Sequence, residues 1–270
     1  MCLIPPPKPS TISTLSDEFG VILLQLQADL HTHTIASTHG YSTLTEMAQG
    51  AADAGIRLLA TTDHGPAAPD APHVWHFHNY KILPRRLRGV WLLKGVEANI
   101  TDENGTLDMG DKELPFCEWV IASYHKDCVK FERRSELVTK GYCKVCENPA
   151  VDVIGHPTTA FFPCDYEKVV KACKETGKLI ELNESSLRWK PDALKNAPDF
   201  YGLCKKYAVP IVVSTDAHFH ELVGKIPLAA QLLQELDFPH DLIYSLDADR
   251  IMEMAAEKRG IQFTETEYEQ

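Results

Sequence analysis

The feature that most constrains the fold is a series of short apolar runs, each followed closely by histidine or an acidic residue. The continuous apolar character and short length of these runs predict buried strands. Buried strands that alternate with helices indicate a parallel sheet covered by helices, either as a closed barrel or as a doubly wound open sheet. The predicted strands are Leu26–Leu30, Arg57–Thr62, Val90–Val96, Glu118–Tyr124, Val151–Gly155, Lys178–Leu182 and Pro210–Thr215.

Helical patterns fill the intervals between these runs. The first of them begins with a capping-box pair, Thr43 and Glu46, which favours a helix start at this point. The predicted helices cover residues 47–54, 166–176, 196–207, 221–235 and 247–259. No repeat, linker or second composition regime interrupts the alternation. We therefore expect one domain over residues 26–270, preceded by an N-terminal extension over residues 1–25.

The residues at the strand ends distinguish between the two architectures. Nearly every predicted strand ends in a residue type that binds metals, in the sequences ADLHTH, ATTDH, KGVEA, IASYH, VIGHP and STDAH. In a barrel the carboxyl ends of all strands converge on one rim, which is where active sites lie. In an open sheet the outer strands would lie too far apart to share one cluster. The sequence therefore predicts an α/β barrel of about seven strands.

The spacing of these residues predicts a metal centre. His31 and His33 are two apart on a strand and therefore face the same side, and Asp216 and His218 repeat that spacing. A single residue such as His125 is more often an isolated histidine, but coincidence does not explain ligands at so many strand ends. Seven imidazoles and two carboxylates exceed the needs of one ion and suit two or three. A set rich in imidazole and free of thiolate favours zinc, manganese or iron over calcium or magnesium.

The same residues resemble the PHP (polymerase and histidinol phosphatase) superfamily. The resemblance is carried by DLHTHT, by the DHG of residues 63–65, by Glu97, His125 and His156-Pro157, and by the final DAH. Within the superfamily, STHGYSTL, TTDHGP, APHVWHF, LLKGVEANI and ELNESS resemble the YcdX-type phosphatase branch. The resemblance implies a distorted (β/α)7 TIM-like barrel with a trinuclear metal centre, usually of zinc, and hydrolysis of phosphoesters.

Carried over residue by residue, the resemblance distributes nine ligands over three divalent ions. They are His31, His33, Glu97 and Asp216 for one ion, the shared Glu97 with His125 and His156 for a second, and His39, His64 and His218 for the third. Glu97 would also be catalytic, since it would hold two ions close enough to activate one hydroxide. The implied enzyme is a hydrolase, a metal-dependent phosphatase acting on a small phosphomonoester.

Other residues near the predicted rim have two interpretations. His73 and His76, in the loop after the second strand, could donate a proton to the leaving group or simply face solvent. Arg85 could bind phosphate through its planar guanidinium or lie on a solvated helix face. Cys143 and Cys146 are interpreted as ordinary thiols in a connecting segment, because no second pair lies at zinc-finger spacing.

Composition limits the partners and the location. The chain carries 27 basic and 38 acidic residues, a formal charge of −11, which disfavours nucleic acid and anionic membranes as partners. No apolar stretch reaches the roughly 18 residues of a membrane span, and the N-terminus lacks a signal-peptide pattern. Eight cysteines without a secretory signal are typical of reduced thiols. We therefore expect a cytoplasmic protein with a small phosphorylated substrate.

Three alternative functions share part of this pattern. An amidohydrolase-type deaminase also opens with His-x-His on a barrel, although His39, His64 and Glu97 favour the PHP pattern over it. A PHP nuclease or phosphodiesterase would share the metal centre, but the sequence lacks a basic stripe for a polynucleotide. A metal-binding module without catalysis would be expected to have lost ligands, and none of the nine is missing.

Overall fold

A computed structural model describes residues 15–16 and 22–264 of the chain. Seven of its strands lie parallel in one sheet, and their order in the sheet follows their order in the chain. These are β3 Ala28–Asp29, β4 Leu58–Thr61, β6 Val90–Asn99, β7 Trp119–Ser123, β8 Val153–Ile154, β9 Leu179–Asn183 and β10 Ile211–Ser214. Each coincides with one of the predicted apolar runs, so this part of the sequence prediction is confirmed.

The two outer strands of the sheet meet and nearly close it into a barrel. Thr32, just after β3, pairs in parallel with Ala217, just after β10. In addition, Thr215 donates hydrogen bonds from its amide and its hydroxyl to the buried carboxylate of Asp29. The fold is therefore the predicted distorted (β/α)7 TIM-like barrel.

Three short strands lie outside this order. β1 Leu15–Ser16 pairs antiparallel with β2 Ile22–Leu23, and β5 Arg86–Leu87 pairs antiparallel with β6. The helices are α1 Leu44–Asp53, α2 Trp75–His78, α3 Ser135–Cys146, α4 Tyr166–Thr176, α5 Glu184–Trp189, α6 Pro191–Tyr207, α7 Pro227–Glu235 and α8 Ala248–Arg259. The capping box of Thr43 and Glu46 is formed at the start of α1, as predicted. The remainder of the predicted extension, residues 1–14 and 17–21, lies outside the described residues.

Two helix predictions need correction. The predicted helix 221–235 begins only at Pro227, because Gly224 turns the chain with a φ of +75° and proline takes the first helical position. The segment interpreted as a connection around Cys143 and Cys146 is instead helix α3. The two thiols therefore lie one turn apart on a helix, and Cys146 is buried in the core.

The core has two parts, on the inside and the outside of the barrel. The inner part is filled by Trp119 and by small and branched side chains of the strands, and it is closed by Ala248, Ile251 and Ala255 of α8. The outer part lies between the strands and the surrounding helices. Because α8 covers the amino ends of the strands, the accessible end of the barrel is the carboxyl end. No helix in the described ranges is long and apolar enough to span a membrane.

Candidate metal centre

The structure brings all nine predicted ligands together at the carboxyl end of the barrel. The Nε2 atoms of His31 and His33 lie 3.0 Å apart. Each of these nitrogens also lies between 3.1 and 3.6 Å from both Glu97 Oε2 and Asp216 Oδ1. Two imidazole nitrogens and two carboxylate oxygens thus face one small volume, and His31, His33 and Asp216 form one of the groups able to hold an ion.

Glu97 lies at the middle of the cluster and is almost fully buried. Its Oε2 atom is 2.9 Å from His64 Nδ1, and its Oε1 atom is 2.8 Å from His156 Nε2 and 3.3 Å from His125 Nε2. Together with the Nε2 atoms of His31 and His33 described above, five imidazoles thus face the Glu97 carboxylate. This position suits a carboxylate that bridges two cations.

A further group of histidines lies beside these residues. The ring of His218 is 4.3 Å from that of His33 and 4.2 Å from that of His39, measured between centroids. Donor atoms of His33, His64 and His218 lie within 4.8 Å of one another. The same holds for His39, His64 and Asp70, so Asp70 is an additional candidate ligand that sequence reasoning missed.

The chemistry of this donor set fits bound divalent cations. His64 Nδ1 and His218 Nε2 are buried without any hydrogen-bond partner among the described residues. His64 Nδ1 lies close to a Glu97 oxygen, but the angles do not suit a hydrogen bond. Nitrogen and carboxylate lone pairs that converge in this way need positive charge between them. The site is therefore a metal-binding cluster of histidine, aspartate and glutamate.

The second ring nitrogen of several histidines is held by a polar partner. His31 Nδ1 donates to Glu181, His39 Nδ1 to Asp70 and His125 Nδ1 to Asn99, each over 2.6 Å. This is the arrangement expected for metal ligands, because it fixes the ring and directs the other nitrogen to the metal. Asn99 lies at the end of β6 and follows Glu97 on the same face.

Glu181 is the functional residue that the sequence prediction missed most clearly. It is fully buried inside the barrel, where it accepts hydrogen bonds from His31, from the hydroxyl of Ser214 and from the amide of His156. It thus positions two strand-end histidines from one carboxylate. The signal was present, since an acidic residue in the middle of an apolar strand is rare unless its charge is paired.

Two ligands have strained backbone conformations. Asp216 has a φ of +53° and His156 a φ of +26°, in the left-handed region that residues with a Cβ rarely adopt. Neighbouring strands hold both residues in place, because Asn183 donates to Asp216 and Glu181 accepts from the His156 amide. Such strain is typical of residues whose side-chain direction matters for function.

The electrostatics of the cluster favour bound positive charge. Burial lowers the pKa of His31, but the charges of Glu181, Glu97 and Asp216 outweigh burial and raise it well above its usual value. Burial raises the pKa of Glu97, yet the surrounding histidines, led by His125, hold it well below its usual value. The carboxylates therefore stay ionised at neutral pH and are available to cations.

His76 and His73 occupy different positions beside the cluster. The Nε2 atom of His76 is buried 3.4 Å from Asp63, a fully buried carboxylate that also accepts hydrogen bonds from Thr34 and Ser37. Asp63 thus ties the loop that carries His33 and His39 to the loop of His76. His73 is exposed and packs its ring on that of Trp75.

The structure does not bring Arg85 to the metal centre. Its guanidinium donates to both oxygens of Glu118 at 2.7 Å and to the carbonyl oxygen of Leu92, near the amino ends of the strands. It is also buried rather than on a solvated helix face. Arg85 is therefore not available to a substrate at the opposite end of the barrel.

We expect Glu181→Gln to weaken metal binding by about 10- to 100-fold, because the His31 ring loses the carboxylate that fixes it. Titration of the metal-free protein with Zn²⁺ against a competing chelator measures this affinity. Glu184→Gln is the matched control, since Glu184 is equally buried but accepts hydrogen bonds from the amides of Leu228 and Ala229. Equal affinities for the two variants would contradict the positioning role of Glu181.

Comparison with known proteins identifies the family. The PHP domain family matches residues 29–187, which is more than half of the chain. A protein of Caldanaerobacter subterraneus named a probable phosphatase is 40% identical over 241 residues, covering 89% of this chain and 95% of its own. The chain belongs to the PHP domain family. A second relative, named a probable phosphatase in Acetivibrio thermocellus, is 42% identical over 236 residues, covering 87% of this chain and 98% of its own.

Solved structures share the fold at low sequence identity. The histidinol phosphate phosphatase of Lactococcus lactis, complexed with zinc, L-histidinol and phosphate, has a TM-score of 0.54 at 15% identity, with 79% of this chain and 94% of that chain covered. A chain of archaeal ribonuclease P with mature tRNA has a TM-score of 0.51 at 15% identity, with 90% and 97% covered. At this identity the likeness concerns the barrel fold alone, and the YcdX-type branch of the PHP superfamily stays a prediction.

Proposed function

We propose that this PHP protein is a metal-dependent phosphatase that hydrolyses a small phosphomonoester. The observation that carries the proposal is the convergence of nine imidazole and carboxylate side chains, with Glu97 among them, at the open end of the barrel. Divalent ions bound by these side chains would concentrate positive charge at one point of a protein whose formal charge is −11. A phosphate dianion is the small ligand that this charge attracts most strongly. The relatives named probable phosphatases support the same activity.

We propose three divalent ions, with zinc favoured by the ligand chemistry. Bound ions of this kind supply an activated water near neutral pH and neutralise the oxygens of the phosphoryl group. The ligands would be divided as the family resemblance implies, with Glu97 shared by two ions. Asp70, which lies within reach of His39 and His64, joins the third group of ligands.

The protein's own groups orient the reacting parts. Glu181, Asn99 and Asp70 fix the rings of ligand histidines, so the donor set is ordered before the substrate enters. Of the two predicted proton donors, His76 has more support than His73, because the buried Asp63 lies 3.4 Å from its ring nitrogen. A histidine that lies beside a carboxylate in this way can give a proton to the leaving oxygen of the ester.

We expect phosphomonoesters to be hydrolysed faster than phosphodiesters. A monoester carries about two negative charges near neutral pH and three terminal oxygens, whereas a diester carries one charge and two such oxygens. The cationic cluster therefore stabilises the monoester more strongly. The measurement is kcat/KM for p-nitrophenyl phosphate and for bis-p-nitrophenyl phosphate, with one metal-replete sample.

Faster cleavage of the diester would overturn the monoesterase proposal and support a PHP nuclease or phosphodiesterase instead. Hydrolysis of neither compound by a sample that holds its metals would favour a deaminase or a metal-binding module. Both results are distinguished from a damaged sample by metal analysis and circular dichroism on the same protein.

A further inference from the structure

A patch of cationic and aromatic side chains borders the metal centre on the side of His125 and His156. We call it the aromatic–cation patch; it consists of Lys126, Arg133, Phe161, Trp189 and Lys190. Lys126 directly follows His125, and Phe161 lies in the loop that begins at His156. Trp189 and Lys190 come at the end of α5, which starts directly at the carboxyl end of β9.

The cations of this patch are held in place without being neutralised. The guanidinium carbon of Arg133 lies 3.6 Å from the centroid of the Phe161 ring, and Lys126 Nζ lies 5.8 Å from it. Stacking on an aromatic ring orients a guanidinium. The N–H groups lie in the plane of the guanidinium and stay available for hydrogen bonds to a ligand. Among the described residues, no carboxylate forms an ion pair with Lys126, Arg133 or Lys190.

Neighbouring basic residues behave differently. Arg134 is paired with Glu132 and Glu136, at 3.2 and 2.6 Å, and Arg188 is paired with Glu184 at 3.2 Å. These two neighbouring basic residues are thus paired with carboxylates. The basic residues of the patch differ from them, because no carboxylate among the described residues forms an ion pair with them.

The patch is close to the metal centre and rigidly attached. Lys190 Nζ donates a hydrogen bond to Ser186 Oγ at 3.3 Å, and the Ser186 amide donates to Asn183 at 2.7 Å. The Asn183 side chain donates in turn to the ligand Asp216 at 3.2 Å, so Lys190 is linked to the metal centre through two residues. Asp192 accepts hydrogen bonds from Ala160 and Thr159, which ties the Phe161 loop to the start of α6. The six residues of α5 extend about 9 Å from the end of β9, a distance comparable to a chain of several carbon atoms.

The aromatic side chains of the patch are exposed to an unusual degree. Trp189 is 74% exposed and Phe161 is 40% exposed. Large exposed aromatics beside a functional site are typical of surfaces that contact a ligand. Here they lie between or beside the cations, where they can cover the carbon skeleton of a ligand.

Resting on the proposed phosphatase function, we propose that the aromatic–cation patch binds a second anionic group of the substrate. The ester phosphate lies at the metal centre, while a carboxylate or a second phosphate several bonds away is held by Arg133, Lys190 and Lys126. The substrate class is therefore a small phosphorylated acid or a bisphosphate. A phosphomonoester with a neutral remainder would leave these cations without a partner.

Matched substrate pairs test this proposal. The carboxylate arm compares 3-phosphoglycerate with glycerol 3-phosphate, and the phosphate arm compares fructose 1,6-bisphosphate with fructose 1-phosphate. We expect the member with the second anionic group to have the larger kcat/KM in at least one pair, by about tenfold or more, because charge-assisted hydrogen bonds are strong. The arm with the larger ratio identifies the anionic group.

Variants show whether the patch causes the preference. We define the preference ratio as kcat/KM for the substrate with the second anionic group divided by kcat/KM for its matched partner. In the double variant Arg133→Gln/Lys190→Gln we expect this ratio for the preferred pair to fall at least about fivefold, mainly through a higher KM for the substrate with the second anionic group. Arg134→Gln is the matched control and should keep the wild-type ratio, because its guanidinium is already neutralised by Glu132 and Glu136. Circular dichroism verifies that each variant is folded.

Two results would overturn the proposal. One is a ratio near one in both pairs for the wild-type enzyme, and the other is a preference that survives unchanged in the double variant. In both cases p-nitrophenyl phosphate must still be hydrolysed by the wild-type enzyme. Loss of that activity as well would instead contradict the proposed phosphatase function.

Discussion

Removal of bound metal is expected to lower hydrolysis of p-nitrophenyl phosphate by at least about a thousandfold, since metal ions contribute several kcal/mol to stabilising the charge of phosphoryl transfer. We expect purified protein never exposed to chelator to hold two to three transition-metal ions per chain, because nine clustered ligands exceed the needs of one ion. Elemental analysis gives the ion number, and addition of Zn²⁺ or Mn²⁺ to the stripped protein should restore activity.

The pH dependence of metal binding has a definite sign. In the metal-free protein the pKa of His31 is raised well above its usual value, so this imidazole is protonated at neutral pH. Metal binding must displace that proton, and metal affinity therefore falls as the pH is lowered.

Full activity in a sample holding less than one ion per chain would contradict the metal-dependent function.

The Glu97→Gln variant is expected to lose activity by at least about a thousandfold while keeping its fold. A neutral amide bridges two cations poorly, and Glu97 is the carboxylate that faces five imidazoles. The measurements are kcat/KM for p-nitrophenyl phosphate, the ion number per chain and the circular dichroism spectrum. Near-normal hydrolysis by a metal-replete variant would show that Glu97 does not bridge the ions.

Glu118→Gln is the matched control for this variant. Glu118 is also a largely buried carboxylate, but it pairs with Arg85 near the amino ends of the strands. We expect Glu118→Gln to lower the free energy of unfolding without changing kcat/KM by more than about threefold, since its partner is left unpaired far from the substrate. Comparison of the two variants thus separates the effect of losing a buried carboxylate charge from the effect of losing a carboxylate that bridges two metal ions.

The sequence was sufficient to predict the barrel and the cluster because both depend on local patterns. Continuous apolar runs give the strands, and the parallel arrangement of those strands brings their carboxyl ends to one rim. Residues such as His31 and Asp216, which closely follow β3 and β10, could therefore be placed together although 185 positions separate them in the chain. Glu181, within β9, carried only the weaker signal of a charged residue in an apolar run, which does not indicate its partners.

The contacts of the residues that orient the ligands could not be predicted, because the two partners are distant in sequence and one of them does not lie at a strand end. Glu181 meets His31 across 150 positions, and its neighbours in the sequence are apolar. Arg85 was misinterpreted for the same reason, since nothing near it indicated its pairing with Glu118. Both cases depend on side-chain packing rather than on pattern.

Helix α3 was missed because its sequence contains a glycine in the middle. Gly141 lowers helix propensity, which weakens the periodic signal. The structure explains the glycine, because a Cβ at this position would collide with the hydroxyl of Tyr124. The close approach of α3 to Tyr124 therefore requires glycine at position 141, although glycine has a low helix propensity.

The junction between β3 and β10, formed by Thr32 and Ala217, links the metal centre to the topology of the chain. His31 and His33 lie on one side of this seam, and Asp216 and His218 lie on the other. An ion bound by ligands from both sides would link β3 to β10 across this junction. Because such an ion would bind the closed barrel and not the opened one, its occupancy would stabilise closure by mass action, so that metal loading and barrel closure would form one coupled equilibrium.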